Sequence, residues 1–313
     1  MKSIDGSGII VPLLTPINED ESVNFGQLAK LVEYVIAGGV DAILAMGSTG
    51  EFARFTPETR GAIVAEIVKS AGGRVPVYAG VADTGLKTVR TNITNAEKAG
   101  ADAVAVTLPY YFPIRNDEEA YSFFSTIAGE ARLPVMLYNI PSTCGASISL
   151  DVIDRLFDFD AVVGIKDSGG DLARLKEEIR RFGNRGKKFS IVVGAEELCY
   201  DGMKAGASGI VPSMANPFPR LLADVYAAAR AGDDAALRRH SDVVDEFQLL
   251  NNYCDAWMSP NVWRKKALFH MGICGDLCTA PYVPIDAEAD KRILAAIERY
   301  HRRYPDAVPV ARA

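Results

Sequence analysis

Ala99-Gly100-Ala101-Asp102-Ala103-Val104-Ala105-Val106-Thr107 ends one element and begins another, and its reading decides the fold. Gly100 supplies the left-handed residue that stops a helix. The apolar run Ala103–Thr107 that follows lacks polar alternation, as expected of a parallel strand covered on both faces. The same signature recurs at Ala37-Gly38-Gly39-Val40-Asp41-Ala42 and at Ala205-Gly206-Ala207-Ser208-Gly209.

Outward from these points, similar apolar runs lie at Gly8–Leu14, Ala42–Ala45, Val75–Ala79, Pro134–Tyr138, Val162–Lys166, Ser190–Val193 and Gly209–Pro212. Helical patterns fill the gaps. Phe25–Ala37 sets Leu28, Leu31, Val32, Val35 and Ile36 on one stripe, and Pro57–Ala71 opens with Thr56 as cap and Pro57 at the first position. Leu86–Ala99, Asp117–Ala131, Leu150–Phe157, Leu172–Phe182, Glu197–Ala205 and Pro219–Arg230 follow. Eight strands, each followed by a helix, predict a (β/α)8 TIM barrel. A doubly wound open sheet would show fewer strands and a Gly-rich turn after the first, where this chain has Leu14-Thr15-Pro16. From about Asp233 only helices are predicted, over Asp233–Tyr253, Pro260–Met271 and Asp286–Tyr300. The expected organisation is a catalytic barrel over residues 1–230 and a C-terminal helical extension over residues 231–313.

Hydrophobic residues are 49% of the chain and charged residues 24%, the balance of a globular protein with a full core. A net charge of −6 with no basic run argues against nucleic acid, yet leaves room for a small anionic substrate in a locally positive pocket. The segment Met1-Lys2-Ser3-Ile4-Asp5-Gly6 lacks the apolar core of a secretory leader, and no stretch approaches the roughly 20 apolar residues that cross a bilayer. The five cysteines are scattered and read as buried thiols of a reducing compartment, so a cytoplasmic location is expected. A metal-dependent aldolase would need histidines at strand ends, but His240, His270 and His301 all fall in the extension. A phosphate-binding barrel would want Gly-rich turns after strands seven and eight, and Gly194-Ala195-Glu196-Glu197 offers two carboxylates instead.

Barrel chemistry gathers at the C-terminal strand ends. Strand six ends Val162-Val163-Gly164-Ile165-Lys166. Desolvation there favours the neutral amine, which is the nucleophile of imine chemistry; the plainer alternative is a snorkelling lysine capping the strand. Strand five ends Leu137-Tyr138-Asn139-Ile140-Pro141, one strand away at the same level, with a phenol able to shuttle protons or simply packed at the rim. Strand two leads into Met46-Gly47-Ser48-Thr49-Gly50-Glu51, whose backbone N–H groups could converge on an anion, although many turns look alike. Strand four leads into Pro109-Tyr110-Tyr111-Phe112-Pro113.

Taken in order, these four motifs make the chain resemble the dihydrodipicolinate synthase and N-acetylneuraminate lyase family of class I aldolases, from Gly8 to about Tyr300. The resemblance implies that Lys166 forms a Schiff base with a 2-keto acid such as pyruvate. It implies that Tyr138 relays protons with Ser48 and with Tyr111 reaching in from a neighbouring subunit. It implies that the Ser48-Thr49 backbone holds the keto-acid carboxylate, that no cofactor or metal is required, and that the assembly is a homotetramer built from dimers. An aldehyde is the implied second partner.

The chain departs from the family pattern at Thr143, where dihydrodipicolinate synthases carry an arginine for the second substrate's carboxylate. Ser168, Gly194, Glu196, Glu197 and Ser213 are the positions most like a sugar-acid pocket, and two acidic side chains suit hydroxyls better than a carboxylate. Glu196-Glu197 would also suit the acidic first turn of a helix. The expected activity is reversible cleavage of a hydroxylated 2-keto acid, of the 2-keto-3-deoxy sugar acid or acyl-neuraminate type. A dihydrodipicolinate synthase or a keto-deoxy sugar acid dehydratase is the alternative. Asn251-Asn252-Tyr253-Cys254-Asp255-Ala256-Trp257 fits no pattern.

Overall fold

In the computed structural model, which describes residues 4, 6–186, 188–253 and 260–305, eight parallel strands close on themselves in chain order. They are β1 (Gly8–Pro12), β2 (Ala42–Ala45), β3 (Val77–Gly80), β4 (Ala103–Thr107), β5 (Val135–Asn139), β6 (Val162–Asp167), β7 (Ser190–Val193) and β8 (Gly209–Ile210). Gly8 pairs with Gly209 and Ile9 with Ile210, so the sheet has no open edge. The helices around it are α1 (Phe25–Ala37), α2 (Pro57–Ala71), α3 (Leu86–Ala99), α4 (Asp117–Glu130), α5 (Pro141–Cys144), α6 (Leu150–Leu156), α7 (Leu172–Phe182), α8 (Cys199–Ala205) and α9 (Pro219–Ala231). Then come α10 (Asp234–Gln248), α11 (Pro260–His270) and α12 (Ala287–Arg303). The TIM barrel followed by helices is as expected from the sequence.

The recurring glycine signature does two jobs. Gly39, Gly100 and Gly206 adopt φ of 93°, 81° and 100°, the left-handed conformation that ends α1, α3 and α8. Two residues later a polar side chain accepts a hydrogen bond from the start of another strand. Asp41 Oδ2 accepts from Ile9 N at 2.8 Å, Asp102 Oδ2 from Val77 N at 2.9 Å, and Ser208 Oγ from Ile191 N at 3.1 Å. The motif therefore stops a helix and satisfies a strand-end donor in the neighbouring β-strand.

The differences from the sequence reading are local. β5 and β6 run one residue further than expected, bringing Asn139 and Asp167 into the sheet. The helix expected over Glu197–Ala205 is a 3-10 turn at Glu196–Leu198 followed by α8, and the one expected over Asp233–Tyr253 is α10 followed by a 3-10 turn at Leu249–Tyr253. Pro141, with its preset φ, opens the short α5 just after β5.

Alternate strand residues feed two separate cores. Ile10, Leu44, Tyr78, Ala105, Met136 and Val192 fill one inside the barrel, while Ile9, Ile43, Val104, Leu137 and Ile165 pack outward against helix residues such as Leu31, Phe124 and Leu175. One irregularity breaks the alternation. Val135 lies opposite Val162, but Met136 lies opposite Gly164, so Val163 is an extra residue in β6. Val162 faces outward, and strict alternation from it would send Lys166 outward too. The bulge instead leaves Lys166 beside Tyr138, facing inward. Gly164 fits because β7 is close: a Cβ there would sit 2.4 Å from Ser190 O.

The extension packs on the barrel through an aromatic cluster in which Phe218 lies 4.7 Å from Phe247 and 4.8 Å from Tyr300 between ring centres. No helix among the described residues is long and apolar enough to cross a membrane.

Gly164→Ala tests the β6–β7 approach. The methyl has nowhere to go, so thermal unfolding should show a loss of about 1–3 kcal/mol.

Candidate active site

The C-terminal strand ends surround a cavity of about 300 Å³ lined by Ser48, Thr49, Tyr138, Lys166, Ser168, Gly194, Glu196, Glu197 and Ser213. Nine of the ten residues singled out from the sequence therefore meet in one place. The tenth, Tyr111, does not: it is 80% exposed on the loop between β4 and α4, with φ at 75° and its ring edge-on to Phe112 at 4.9 Å. Within this one chain its neighbour Tyr110 packs inward instead, against Phe52.

Lys166 is 4% exposed, with Nζ 3.9 Å from the centre of the Tyr138 ring. Burial pushes the Tyr138 phenol up, but the Lys166 charge and hydrogen bonds with Lys166, Ser48 and Ser168 outweigh it and leave the phenol more acidic than an ordinary tyrosine. A phenol tied to an amine on one side and to hydroxyls on the other can pass a proton between them. Gly194 gives this group its room, since a Cβ there would lie 2.0 Å from Ser168 Oγ and 2.9 Å from Lys166 Cε.

Behind Lys166, polar contacts fix the strand ends. Asp167 Oδ2 accepts from Asn139 Nδ2 at 2.8 Å and from Arg174 Nε at 2.9 Å, and Oδ1 accepts from Gly169 N at 2.7 Å. Asn139 Oδ1 in turn accepts from Ile148 N at 2.9 Å. Buried Glu178 stands 2.9 Å from Arg174 Nη2. Burial, then the nearby Asp167 charge, push its carboxyl up to about 9 against the pull of Arg174.

After β2, Ser48–Gly50 forms a 3-10 turn between Met46 and Glu51, whose φ values are 53° and 60°. The first N–H groups of such a turn find no partner inside it, which leaves them for an anion. The turn is pinned from below by Thr15 Oγ1, which donates to Gly50 O at 2.9 Å. It is pinned from above by the extension. Asn261 Nδ2 donates to Thr49 O at 3.1 Å, Thr279 N and Oγ1 donate to Glu51 Oε2 at 3.0 and 2.6 Å, and Lys265 Nζ lies 2.7 Å from Glu51 Oε1. Both ends of that ion pair are fully buried.

After β7, Glu196 is less free than the sequence implied. Its Oε1 accepts from Ser213 Oγ at 2.8 Å and Met214 N at 2.7 Å, and its Oε2 from Arg264 Nη2 at 2.9 Å. Glu197 remains exposed at the rim. Thr143 lies outside this cavity and lines a neighbouring one of about 310 Å³ that shares Ser48 and Ile140 with it.

Sequence reasoning missed the contribution of the extension. Gln248, Asn251, Asn261 and Arg264 all line the Lys166 cavity. Asn251, which fitted no pattern, accepts from Trp263 Nε1 at 2.8 Å; Cys254–Trp257 lie outside the described residues. The available signal was periodicity: Asn261, Arg264, Lys265 and Leu268 share one face of α11 at helical spacing, so polar side chains occupy the buried stripe.

The dihydrodipicolinate synthetase family matches this chain over residues 5–300. The chain belongs to that family. It is 32% identical to a 4-hydroxy-tetrahydrodipicolinate synthase of Neisseria gonorrhoeae over 93% of its own length and 97% of the relative's. Among solved structures, dihydrodipicolinate synthase from Aquifex aeolicus superposes with a TM-score of 0.88 at 27% identity, covering 98% of this chain and all of the other (100%). The chloride-inhibited dihydrodipicolinate synthase from Acinetobacter baumannii, solved with pyruvate, gives 0.86 at 29% identity, covering 94% and 98%. Membership in the dihydrodipicolinate synthetase family makes this chain an enzyme of lyase type.

Two substitutions test how this family member supports its site. Lys265→Met strands the buried Glu51 carboxylate and should cost about 3–5 kcal/mol in denaturant unfolding. Glu178 retains a proton in the folded state that it loses when unfolded, so its contribution is full at acidic pH and fades as pH rises toward about 9. Melting temperatures taken from pH 5 to 9 should therefore fall in the parent and fall less steeply in Glu178→Gln.

Proposed function

We propose that the protein is a Schiff-base aldolase that reversibly cleaves a hydroxylated 2-keto acid to pyruvate and an aldehyde. The observation that carries this reading is the buried amine of Lys166 against the Tyr138 ring, in a cavity that Ser48 and Ser168 also line. In this reading residues 1–230 form the catalytic barrel, and residues 231–313 form an extension that packs on it.

Lys166 passes a proton to Tyr138 and its freed amine attacks C2 of the keto acid; Tyr138 returns that proton to the departing hydroxyl, and loss of water leaves a protonated imine. The substrate carboxylate sits at the N–H groups opening the Ser48-Thr49 turn. Tyr138 takes the proton of the C4 hydroxyl, the C3–C4 bond breaks, and its electron pair passes into the imine to give an enamine while the aldehyde departs. Tyr138 hands a proton back to C3, and water hydrolyses the imine to pyruvate and free Lys166. Ser48, and Tyr111 from a neighbouring subunit of a homotetramer, complete the proton path. The exposure and left-handed backbone of Tyr111 suit a residue presented outward from its own chain. Ser168, Gly194, Glu196, Glu197 and Ser213 line the space beyond the reacting carbons.

A second reading, a 4-hydroxy-tetrahydrodipicolinate synthase, is favoured by the name of the Neisseria gonorrhoeae relative. It needs a cation for the second substrate's carboxylate, and Thr143 stands where that arginine is expected.

Borohydride reduction in the presence of pyruvate, followed by intact mass, should give a pyruvate-sized adduct on the parent and none on Lys166→Ala. Tyr138→Phe should keep the adduct but lower turnover by about 10²–10⁴-fold. Condensation of pyruvate with aspartate semialdehyde in preference to hydroxylated aldehydes would transfer the assignment to the synthase.

A further inference from the structure

We infer that Arg264, brought into the barrel mouth by α11, binds a hydroxyl on the far arm of the 2-keto acid held at Lys166. This rests on the Schiff-base reading above and names what lies beyond the bond that breaks. Arg264 is 2% exposed and lines the Lys166 cavity. Its Nη2 is bonded to Glu196 Oε2, and its guanidinium stands over the Trp263 ring at 4.7 Å. Its Nε and Nη1, however, have no hydrogen-bond partner among the described residues. Neither does Nε2 of Gln248, which lines the same cavity from the end of α10. Buried donors without acceptors are unfavourable, most of all on a charged group, and in a substrate-sized cavity they are met by water or by a ligand that supplies the acceptor. Donors left open on two side chains of the extension define an acceptor-rich arm.

The charges around Arg264 decide which acceptor. Glu196 faces it directly and Glu197 lines the same wall, so a carboxylate at the end of the arm would meet two like charges for one opposite charge. A hydroxyl both donates and accepts. It can donate to Glu196 while accepting from Arg264, and a second hydroxyl can accept from Gln248. The arm has a path. Gly194 lies beside Lys166 Cε, and Glu196 follows two residues later along the same wall. A substrate fixed at C2 and passing Gly194 arrives at the Glu196–Arg264 pair.

The test uses three six-carbon 2-keto acids that share the C4 hydroxyl: 2-keto-3-deoxygluconate, 4-hydroxy-2-oxohexanoate without distal hydroxyls, and 4-hydroxy-2-oxoadipate with a distal carboxylate. Pyruvate release is followed in the parent, Arg264→Met and Arg264→Lys. Pyruvate itself has no distal arm, so its borohydride-trapped adduct identifies the variants that still fold around Lys166. The parent should favour 2-keto-3-deoxygluconate over the hexanoate by about tenfold or more in kcat/KM, chiefly through KM. Arg264→Met should bring that ratio near one, and Arg264→Lys should restore part of it. A ratio that survives Arg264→Met in adduct-forming protein overturns the inference. So does a parent that prefers the adipate, or one that forms the adduct and cleaves none of the three. Absence of the adduct in the parent instead overturns the Schiff-base reading. Should Arg264→Met lose the adduct, Gln248→Met reads the same ratio and must lower it several-fold; an unchanged ratio there is equally fatal.

Discussion

A single extra residue in β6 sets the orientation of Lys166 at the barrel mouth. Side chains along a strand alternate between faces, and a shift of one position exchanges them all. Val162 points to the outer core, yet Lys166, an even number of positions later, points to the inner cavity because Val163 is bulged out of register. The residue after the bulge, Gly164, has no side chain and lies against the backbone of β7. The result is that Lys166 stands level with Tyr138 rather than with the helices outside. Bulges are rare in parallel sheets and concentrate near active sites, where they re-aim a side chain.

That inward lysine lies between two kinds of support. From behind, Asp167, Asn139 and Arg174 lock the ends of β5 and β6 to the loop before α6. From the open side, α11 reaches the turn after β2 through Asn261 and Lys265 and the turn after β7 through Arg264. The buried pair of Glu51 and Lys265 adds little net stability over an apolar pair of the same shape, but it fixes where the turn must sit. It holds Glu51 in a left-handed conformation and so sets the direction in which Ser48 and Thr49 present their N–H groups.

Much of this was legible in the sequence because it was repeated or periodic. The glycine signature ending at Asp102 marked a helix stop and a strand start, and the structure gave its aspartate a second purpose at the base of β3. Strand ends could be counted, so Lys166, Tyr138, Ser48 and Gly194 could be placed at one rim. Three things could not be read. The bulge at Val163 leaves no trace in an apolar run, since Val-Val-Gly-Ile reads the same with or without it. The engagement of Glu196 by Ser213 and Arg264 joins residues far apart in the chain, and propensity carries no long-range information. The burial of Arg264 and Lys265 runs against the usual exposure of charged residues, and only their helical spacing with Asn261 and Leu268 hinted at it.

The stripe on α11 has a mechanical consequence. One rigid rod grips the loops after β2 and β7, three strands apart around the rim, with contacts one turn apart. Those loops cannot breathe independently. Any rocking of the rod lifts or lowers both together, so the mouth widens and narrows along a single coordinate. A ligand that bridged the two sides would damp that coordinate, and the stiffness of the rod would be felt directly at the reacting carbons.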